Sequence, residues 1–497
     1  MKPRTPRRVN IADLLLPLDE ASGVPLYRQV YEGVRDAIIE GRLPRGARLP
    51  STRRLAEYLA VSRTTVLVAF EQLAAEGFLE AEVGSGSRVA EHVAAPRPPS
   101  GAGRVAADPW LSHRGRLVVG VPRPARPRAP GPGAFRTGQP PVDVFPLDVW
   151  RRLAARCSRR LTPAALFHGA AAGLPELRDA IASIAVARGI RCERDHVLVL
   201  ASAQEAMDLT CRMLLDPGDA AWLEDPAWSG ARAALAAAGA RIVPVPVDRS
   251  GLRVDDGIAA APGARLAYVT PSHQYPMGVA MSLDRRMRLL AWAREHDAWI
   301  LEDDYDSEFR YAERPLPALR SLDGTDRVVY VGTFNKTLFP ALRLAYLILP
   351  DALIDVFRDA RGMGGQHAPT IDQLVLSEFV AGGHYARHLK QARAAGRARR
   401  DALLAAAAKR LGVLAFTDVD TGLHMVGWLP AGSDDRRASA AALRHDVEAA
   451  PLSAYCLGQC PRPGLVLGYG SLSTKQINDG TARLAAALNE AVSRRTR

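Results

Sequence analysis

Four apolar side chains, Leu26, Val30, Val34 and Ile38, return at every fourth position and predict an amphipathic helix near the start of the chain. Gly41, Pro44 and Gly46 break that period. A short helix should follow, with Leu55, Ala56 and Leu59 inward and Ser51 or Thr52 as its N-cap. Ala60 and Val61 then make a tight turn, and Ser62 caps a longer helix with Val66, Phe70 and Leu73 facing inward and Gly77 at its end. Two strand-like runs, 78–83 and 87–90, flank the turn Gly84-Ser85-Gly86. Helix, helix, turn, helix and hairpin make a winged helix-turn-helix, placed here over residues 14–93.

From about residue 134 to the end, apolar runs alternate with helical periods. The runs 197–200, 220–223, 242–246, 266–269, 299–301 and 328–331 read as strands with helices between most of them, the pattern of an α/β domain with a largely parallel sheet. After about residue 360, Ala/Arg-rich helices and the strands 423–427 and 465–468 predict a smaller α+β lobe. Residues 94–133 differ from both neighbours. They hold nine prolines, six glycines and seven arginines, too little apolar surface to fold alone, so they read as a linker. Its apolar patch Leu117-Val118-Val119 is a candidate for docking on a neighbour.

Charge sharpens this picture once it is located. The net +12 of the 497 residues is nearly absent from residues 1–94, which carry 13 Lys/Arg against 12 Asp/Glu. Within that segment, however, Arg42, Arg45, Arg48, Arg53, Arg54 and Arg63 face a single acid, Glu57, and the basic linker follows. A basic cluster with a basic tether fits a polyanion, most often nucleic acid. The turn Ser62-Arg63-Thr64-Thr65 offers the small polar and basic groups that a recognition helix presents to the major groove. Five cysteines without CxxC spacing read as reduced core thiols, not a metal site. No apolar run is long enough for a membrane span and no secretory signal opens the chain, so the expected location is the cytoplasm.

Candidate chemistry gathers where strands end. Lys336 lies just beyond run 328–331, with Thr333 before it and Arg343 after it. Asp303 follows run 299–301 beside Tyr305, although Asp304 and Asp306 compete for its role. Ser202, Ala203 and Gln204 follow run 197–200 and open a helix, where free backbone N–H groups can hold an anion. Trp228 offers an aromatic face. A lysine to bond an aldehyde, a carboxylate for a ring nitrogen, a phenol, a stacking ring and a phosphate cradle are the parts of a pyridoxal 5′-phosphate (PLP) site.

Two resemblances add to this reading. The stretch GARLPSTRRLAEYLAVSRTTVLVAFEQLAAEGFLEAEVGSGSRVA resembles the DNA-binding domain of the GntR family, which implies that Arg48, Ser51, Arg53, Ser62, Arg63, Thr64, Thr65 and Gly84 touch operator DNA. The motifs LEDPAWSGAR, TPSHQYPMG, LEDDYDSEFRY and GTFNKTLFPALRLAYLILP resemble a fold-type I aminotransferase domain of the MocR branch of that family. That implies Lys336 as PLP lysine, Asp303 against the ring nitrogen, Trp228 over the ring, and a homodimer. Asn335 stands where the branch usually has serine, and Val466 stands where aminotransferases place an arginine for the substrate carboxylate, with Arg462 off register. The reading is a PLP-binding transcription regulator that senses an amine or a vitamin B6-related effector and performs at most slow half-transamination. A working aminotransferase carrying a DNA-binding head is the alternative.

Overall fold

The computed structural model describes residues 18–19, 22–82, 86–91, 111–122, 133–311, 317–417, 420–458, 460 and 462–493. The chain divides into two compact units, 1–106 and 107–497.

In the first unit, α1 (Leu26–Ile39), α2 (Thr52–Leu59) and α3 (Arg63–Ala75) precede an antiparallel pair, β1 (Leu79–Glu82) and β2 (Gly86–Val89). The predicted faces become the core: Val30, Val34 and Ile38 of α1 pack with Leu55 of α2 and with Val66, Phe70 and Leu73 of α3. Ser51, not Thr52, caps α2 by accepting from the backbone N–H of Arg54, and Ser62 caps α3 by accepting from that of Thr65 at 3.0 Å. Each cap satisfies an N–H left over at a helix start and is worth about 1 kcal/mol. Between the helices Ala60 takes a left-handed conformation (φ 54°), a small cost for a residue with a Cβ that the tight turn requires.

In the second unit, α4 (His113–Val119) lies inside the segment read as a linker, capped by Ser112 and packed on the helix Ser229–Ala238. The large sheet is built from β3 (Val197–Leu200), β4 (Ala220–Asp225), β5 (Arg241–Asp248), β6 (Gly251–Leu252), β7 (Leu266–Val269), β8 (Trp299–Asp304), β9 (Val328–Thr333) and β10 (Ala345–Ile348), in the order β3-β10-β9-β8-β7-β4-β5-β6. β5, β4, β7, β8 and β9 run parallel. β10 is antiparallel to both of its neighbours, β9 and β3. The sequence pattern did not single out β10. It follows β9 after the short turn Pro340–Leu342 with no helix between them, so it lacks the strand–helix alternation that marked most of the other strands. Helices cover both faces, giving separate apolar layers around Leu198, Leu223 and Leu301 on one side and Trp222, Trp292 and Ile300 on the other.

The smaller lobe has four antiparallel strands, β11 (Ala415–Phe416), β12 (His424–Trp428), β13 (Ala450–Pro451) and β14 (Gly464–Gly468), in the order β11-β12-β14-β13. The helices His384–Arg410, Asp435–Arg444 and Thr474–Ser493 accompany it. Phe135, far earlier in sequence, is fully buried in this lobe's core beside Leu465 and Tyr469. The backbone of Ala134 and Phe135 bonds to Glu448 and Gly468. The segment that enters the second unit is thus part of the lobe that ends it. Among the described residues no helix is long and apolar enough to cross a membrane.

Candidate functional site

The carboxyl ends of five strands converge on one cavity of about 400 Å³, the place where open α/β sheets bind ligands. β3 leads to Ser202, β4 to Trp228, β7 to Tyr268 and Tyr275, β8 to Asp303 and Tyr305, and β9 to Thr333 and Lys336. All nine residues singled out for the cofactor line this cavity: Ser202, Ala203, Gln204, Trp228, Asp303, Tyr305, Thr333, Lys336 and Arg343.

Strand alternation decides between the adjacent aspartates. Successive side chains of β8 point to opposite faces, so only one of Asp303 and Asp304 can enter the cavity. Asp303 does. Asp304 faces the other way and is bound by Arg188 at 2.6 Å and by the Tyr330 phenol at 2.8 Å. Asp306 returns to the cavity side, where both of its oxygens lie 3.0 Å from Nδ1 of His273. Burial pushes Asp303 up to about 7, against the hydrogen bond it accepts from Tyr268 at 2.8 Å. Its other oxygen, Oδ1, is buried with no partner.

Lys336 is held by a hydrogen bond from Nζ to the carbonyl of Gly138 at 2.7 Å. Burial lowers its pKa, opposed by Asp306 and Asp303, which favours the neutral amine a nucleophile needs. Gly138 has φ 77°, and a Cβ there would come within 2.8 Å of Nζ, so glycine lets backbone and lysine meet. Arg343 also sits at positive φ (53°), a strained conformation for an arginine, and lines the cavity. Ser202 caps the helix Ala203–Leu214, accepting from Glu205 N–H at 3.1 Å, and so fixes the helix start that opens on the cavity. Thr333 accepts from the N–H of Asn335 at 3.2 Å, which ties the turn carrying Lys336 to the strand before it.

The Tyr305 phenol lies 2.9 Å from Nδ1 of His273. Sequence reasoning therefore found Tyr305 but missed what orients it. It also passed over Tyr268, Tyr275 and His424, which line the cavity, and His273 behind Tyr305; Tyr268 and His273 sit at the end of β7 and just after it, a position that strand-end reasoning could have flagged. His273, Asp306 and His424 bring possible metal-ligand atoms within 4.8 Å of one another. Two of these groups are already engaged, Nδ1 of His273 by Asp306 and Nε2 of His424 by the Pro276 carbonyl.

The loop bearing Trp228 is held from three directions. Buried Glu224 accepts from Thr270 and Gln274, and Gln274 donates to the Pro226 carbonyl at 2.8 Å. Asp225 accepts from the N–H groups of Leu457 and Gly458, and Ala227 N–H donates to Tyr455. A Cβ on Gly230 would run into the Trp228 ring and Gln204. On the outside, Val118 of α4 shares a second cavity with the same Trp228 and Gln204, so the Leu117-Val118-Val119 patch docks through Val118 while Leu117 and Val119 stay exposed.

Neither Val466, at the position of the expected carboxylate-binding arginine, nor the nearby Arg462 lines the cavity. Val466 is buried among Val426, Leu452 and Tyr455, and the guanidinium of Arg462 lies 5.3 Å from the centre of the Trp428 ring. Among the described residues, Lys336 and Arg343 are the only lysine and arginine of the cavity wall.

In the first unit, Arg53 is exposed on the first turn of α2, Ser62, Arg63 and Thr64 are exposed at the start of α3, and Thr65 is half-buried with its hydroxyl 2.8 Å from that of Ser62. Arg53 pairs with Glu57 at 3.2 Å across one turn, and Ser51 is engaged in its cap. Arg48 is half-buried and bridges the backbone of Arg88 on β2. Gly84 lies outside the described residues.

Comparison with known proteins agrees with both halves. The pattern of the family described as "Bacterial regulatory proteins, gntR family" matches residues 26–89, and that of "Aminotransferase class I and II" matches residues 134–450. The chain is 38% identical over 481 residues to the probable rhizopine catabolism regulatory protein MocR of Rhizobium meliloti, covering 95% of this chain and 96% of that one. It is 32% identical to the HTH-type pyridoxine biosynthesis transcriptional regulator PdxR of Corynebacterium glutamicum, over 93% of this chain and 95% of that one. Among solved structures, an archaeal alanine:glyoxylate aminotransferase superposes with a TM-score of 0.68 at 26% identity, covering 73% of this chain and 92% of that one.

Proposed function

The chain belongs to the GntR family of bacterial regulators, in the MocR branch that joins a helix-turn-helix to an aminotransferase class I and II domain, and from that membership we propose that it binds PLP at Lys336 and uses the cavity to sense an amine effector. It is a DNA-binding transcription regulator, and its aminotransferase fold implies dependence on PLP. The observation that carries the residue-level proposal is the unpartnered Oδ1 of Asp303 at the floor of the cavity that also holds Lys336. A protonated ring nitrogen supplies the donor that oxygen lacks and, as a neighbouring positive charge, draws the carboxyl back to its ionised form.

PLP, when bound, supplies an electrophilic carbon for amines and an electron-withdrawing ring. The chain's own groups do the rest. Lys336 holds the aldehyde end, Trp228 covers one ring face, and Tyr305, oriented by His273 and Asp306, serves the ring oxygen. Ser202, Ala203, Gln204, Thr333 and Arg343 cradle the phosphate at the start of the helix Ala203–Leu214. In the head, Arg63, Thr64 and Thr65 read base edges, while Arg48, Ser51, Arg53, Ser62 and Gly84 position the domain on the DNA backbone. The protein works in the cytoplasm as a homodimer. The very exposed Leu166 (77%), Phe167 (77%) and Met363 (93%) on the aminotransferase unit support a self-association surface. Transamination is at most a slow half-reaction, because with Arg343 given to the phosphate no further arginine of the cavity wall, among the described residues, is left to aim a substrate carboxylate. Absorption spectroscopy of the purified protein tests the core of this reading. Added PLP should give a yellow, lysine-dependent band, and a protein that stays colourless would refute it.

A further inference from the structure

Once Asp303, Lys336 and Arg343 are given to the cofactor, the cavity wall keeps no lysine or arginine among the described residues, and it holds several hydrogen-bond acceptors beside side chains such as Gln139 and Asn335 that can also donate. The acceptors include the Gly138 carbonyl, the Asp306 carboxylate and His424. The proton on His424 can be located by chemistry. Nε2 lies 3.2 Å from the Pro276 carbonyl, and a carbonyl can only accept, so Nε2 carries the hydrogen and Nδ1 keeps a lone pair. Nδ1 has no hydrogen-bond partner among the described residues, although the ring lines the cavity. Burial and the neighbouring His273 hold the imidazole well below its ordinary pKa, so it stays a neutral acceptor. A carboxylate brought against Asp306 and His424 would meet a carboxylate and a lone pair, with no lysine or arginine of the wall left over among the described residues once Lys336 and Arg343 are engaged, which is an unfavourable way to desolvate an anion. An ammonium or hydroxyl would find acceptors already in place.

We propose that the effector is a primary amine whose second polar group is a hydrogen-bond donor, an ammonium or a hydroxyl and not a carboxylate, and that Nδ1 of His424 accepts from it. The inference rests on PLP being bound at Lys336. The effector's first amine would take the place of the Lys336 amine on the cofactor, the lysine leaving as a free amine, and its second end would be selected by the wall.

Three ligands of one chain length separate the possibilities: 1,4-diaminobutane, 4-amino-1-butanol and 4-aminobutanoate. Each is titrated into the full-length protein loaded with PLP, and half-saturation is read from the visible band and, independently, from the melting temperature. The diamine or the amino alcohol should half-saturate at a concentration about tenfold or more below that of the amino acid, the scale of one well-placed polar contact. His424→Phe keeps a ring but removes the acceptor and should cut that preference to about threefold or less, whereas His424→Gln, which keeps a donor and an acceptor, should restore much of it. Tightest binding by 4-aminobutanoate overturns the proposal, as does an unchanged preference in a His424→Phe protein that retains the band. No response to any of the three ligands in a protein that carries the band overturns it equally. A protein without the band fails at the earlier step, and the two failures are therefore distinct.

Discussion

Tyr268 on β7 donates its phenol hydrogen to Oδ2 of Asp303 on β8 at 2.8 Å, leaving Oδ1 as the carboxylate's one unpartnered oxygen. The pair makes Asp303 a directional acceptor whose ionisation is poised near neutrality. That poise has a consequence for stability. Asp303, Glu224 and Glu302 are each pushed up to about 7 by burial, so the folded protein binds protons that the unfolded chain has already released above pH 4 to 5. Stability from these groups is full at low pH and is lost as pH rises toward and through 7. The PLP-free protein should melt at a lower temperature at pH 8 than at pH 5.5, and Asp303→Asn should reduce that difference. Wild-type pH dependence in the Asp303→Asn protein would show that Asp303 does not carry the effect.

Lys336 is half-buried and its charge is disfavoured there, so Lys336→Ala removes little that holds the fold together. The variant should keep the wild-type far-ultraviolet spectrum and a similar melting temperature while losing the yellow band on addition of PLP. Retention of the band would move the covalent link to another lysine.

Gly230→Ala puts a methyl group against Trp228 and Gln204 on the wall shared by the cofactor cavity and the α4 cavity. Displacing the stacked ring should weaken PLP binding by roughly fivefold, in keeping with about 1 kcal/mol for an aromatic stacking contact. The helix Ser229–Ala238 starts at this point, so the fold should survive. Equal PLP affinity in the two proteins would remove Trp228 from the site.

Arg63 and Arg48 should fail differently on DNA. Arg63→Ala, at the exposed start of α3, should cost about 1–3 kcal/mol and relax sequence preference. Arg48→Ala should weaken all sequences alike and lower the salt slope by about one. Binding titrations on operator and random duplexes at several salt concentrations compare the two, and parallel losses would contradict the assignment.

Charges placed on the exposed apolar surface should break the dimer. Leu166→Asp combined with Phe167→Asp in the full-length chain should sediment as a monomer at concentrations where the wild type is a dimer, because about 77% of each side chain is already in water and its loss spares the core. A doubly substituted protein that sediments like the wild type would place the interface elsewhere.

Local chemistry made much of this protein legible from its sequence. A four-residue apolar period produced α1, capping serines set the starts of α2 and α3, and strand-end positions drew attention to Lys336, Trp228 and the aspartate run, because these signals act within a few residues. Contacts between distant segments had no such local mark. Only the pleat of β8 in its sheet separated Asp303 from Asp304, and only packing set His273 behind Tyr305, brought the Gly138 carbonyl to Lys336 and placed Phe135 in the core of the C-terminal lobe. β10 escaped notice because it follows β9 through the short turn Pro340–Leu342, without the intervening helix that set off most of the other strands. The sequence alone determined which groups were available and which strand ends would carry them; tertiary packing decided which way each one faces, since facing depends on neighbours as many as 330 residues away, as Phe135 and Leu465 are.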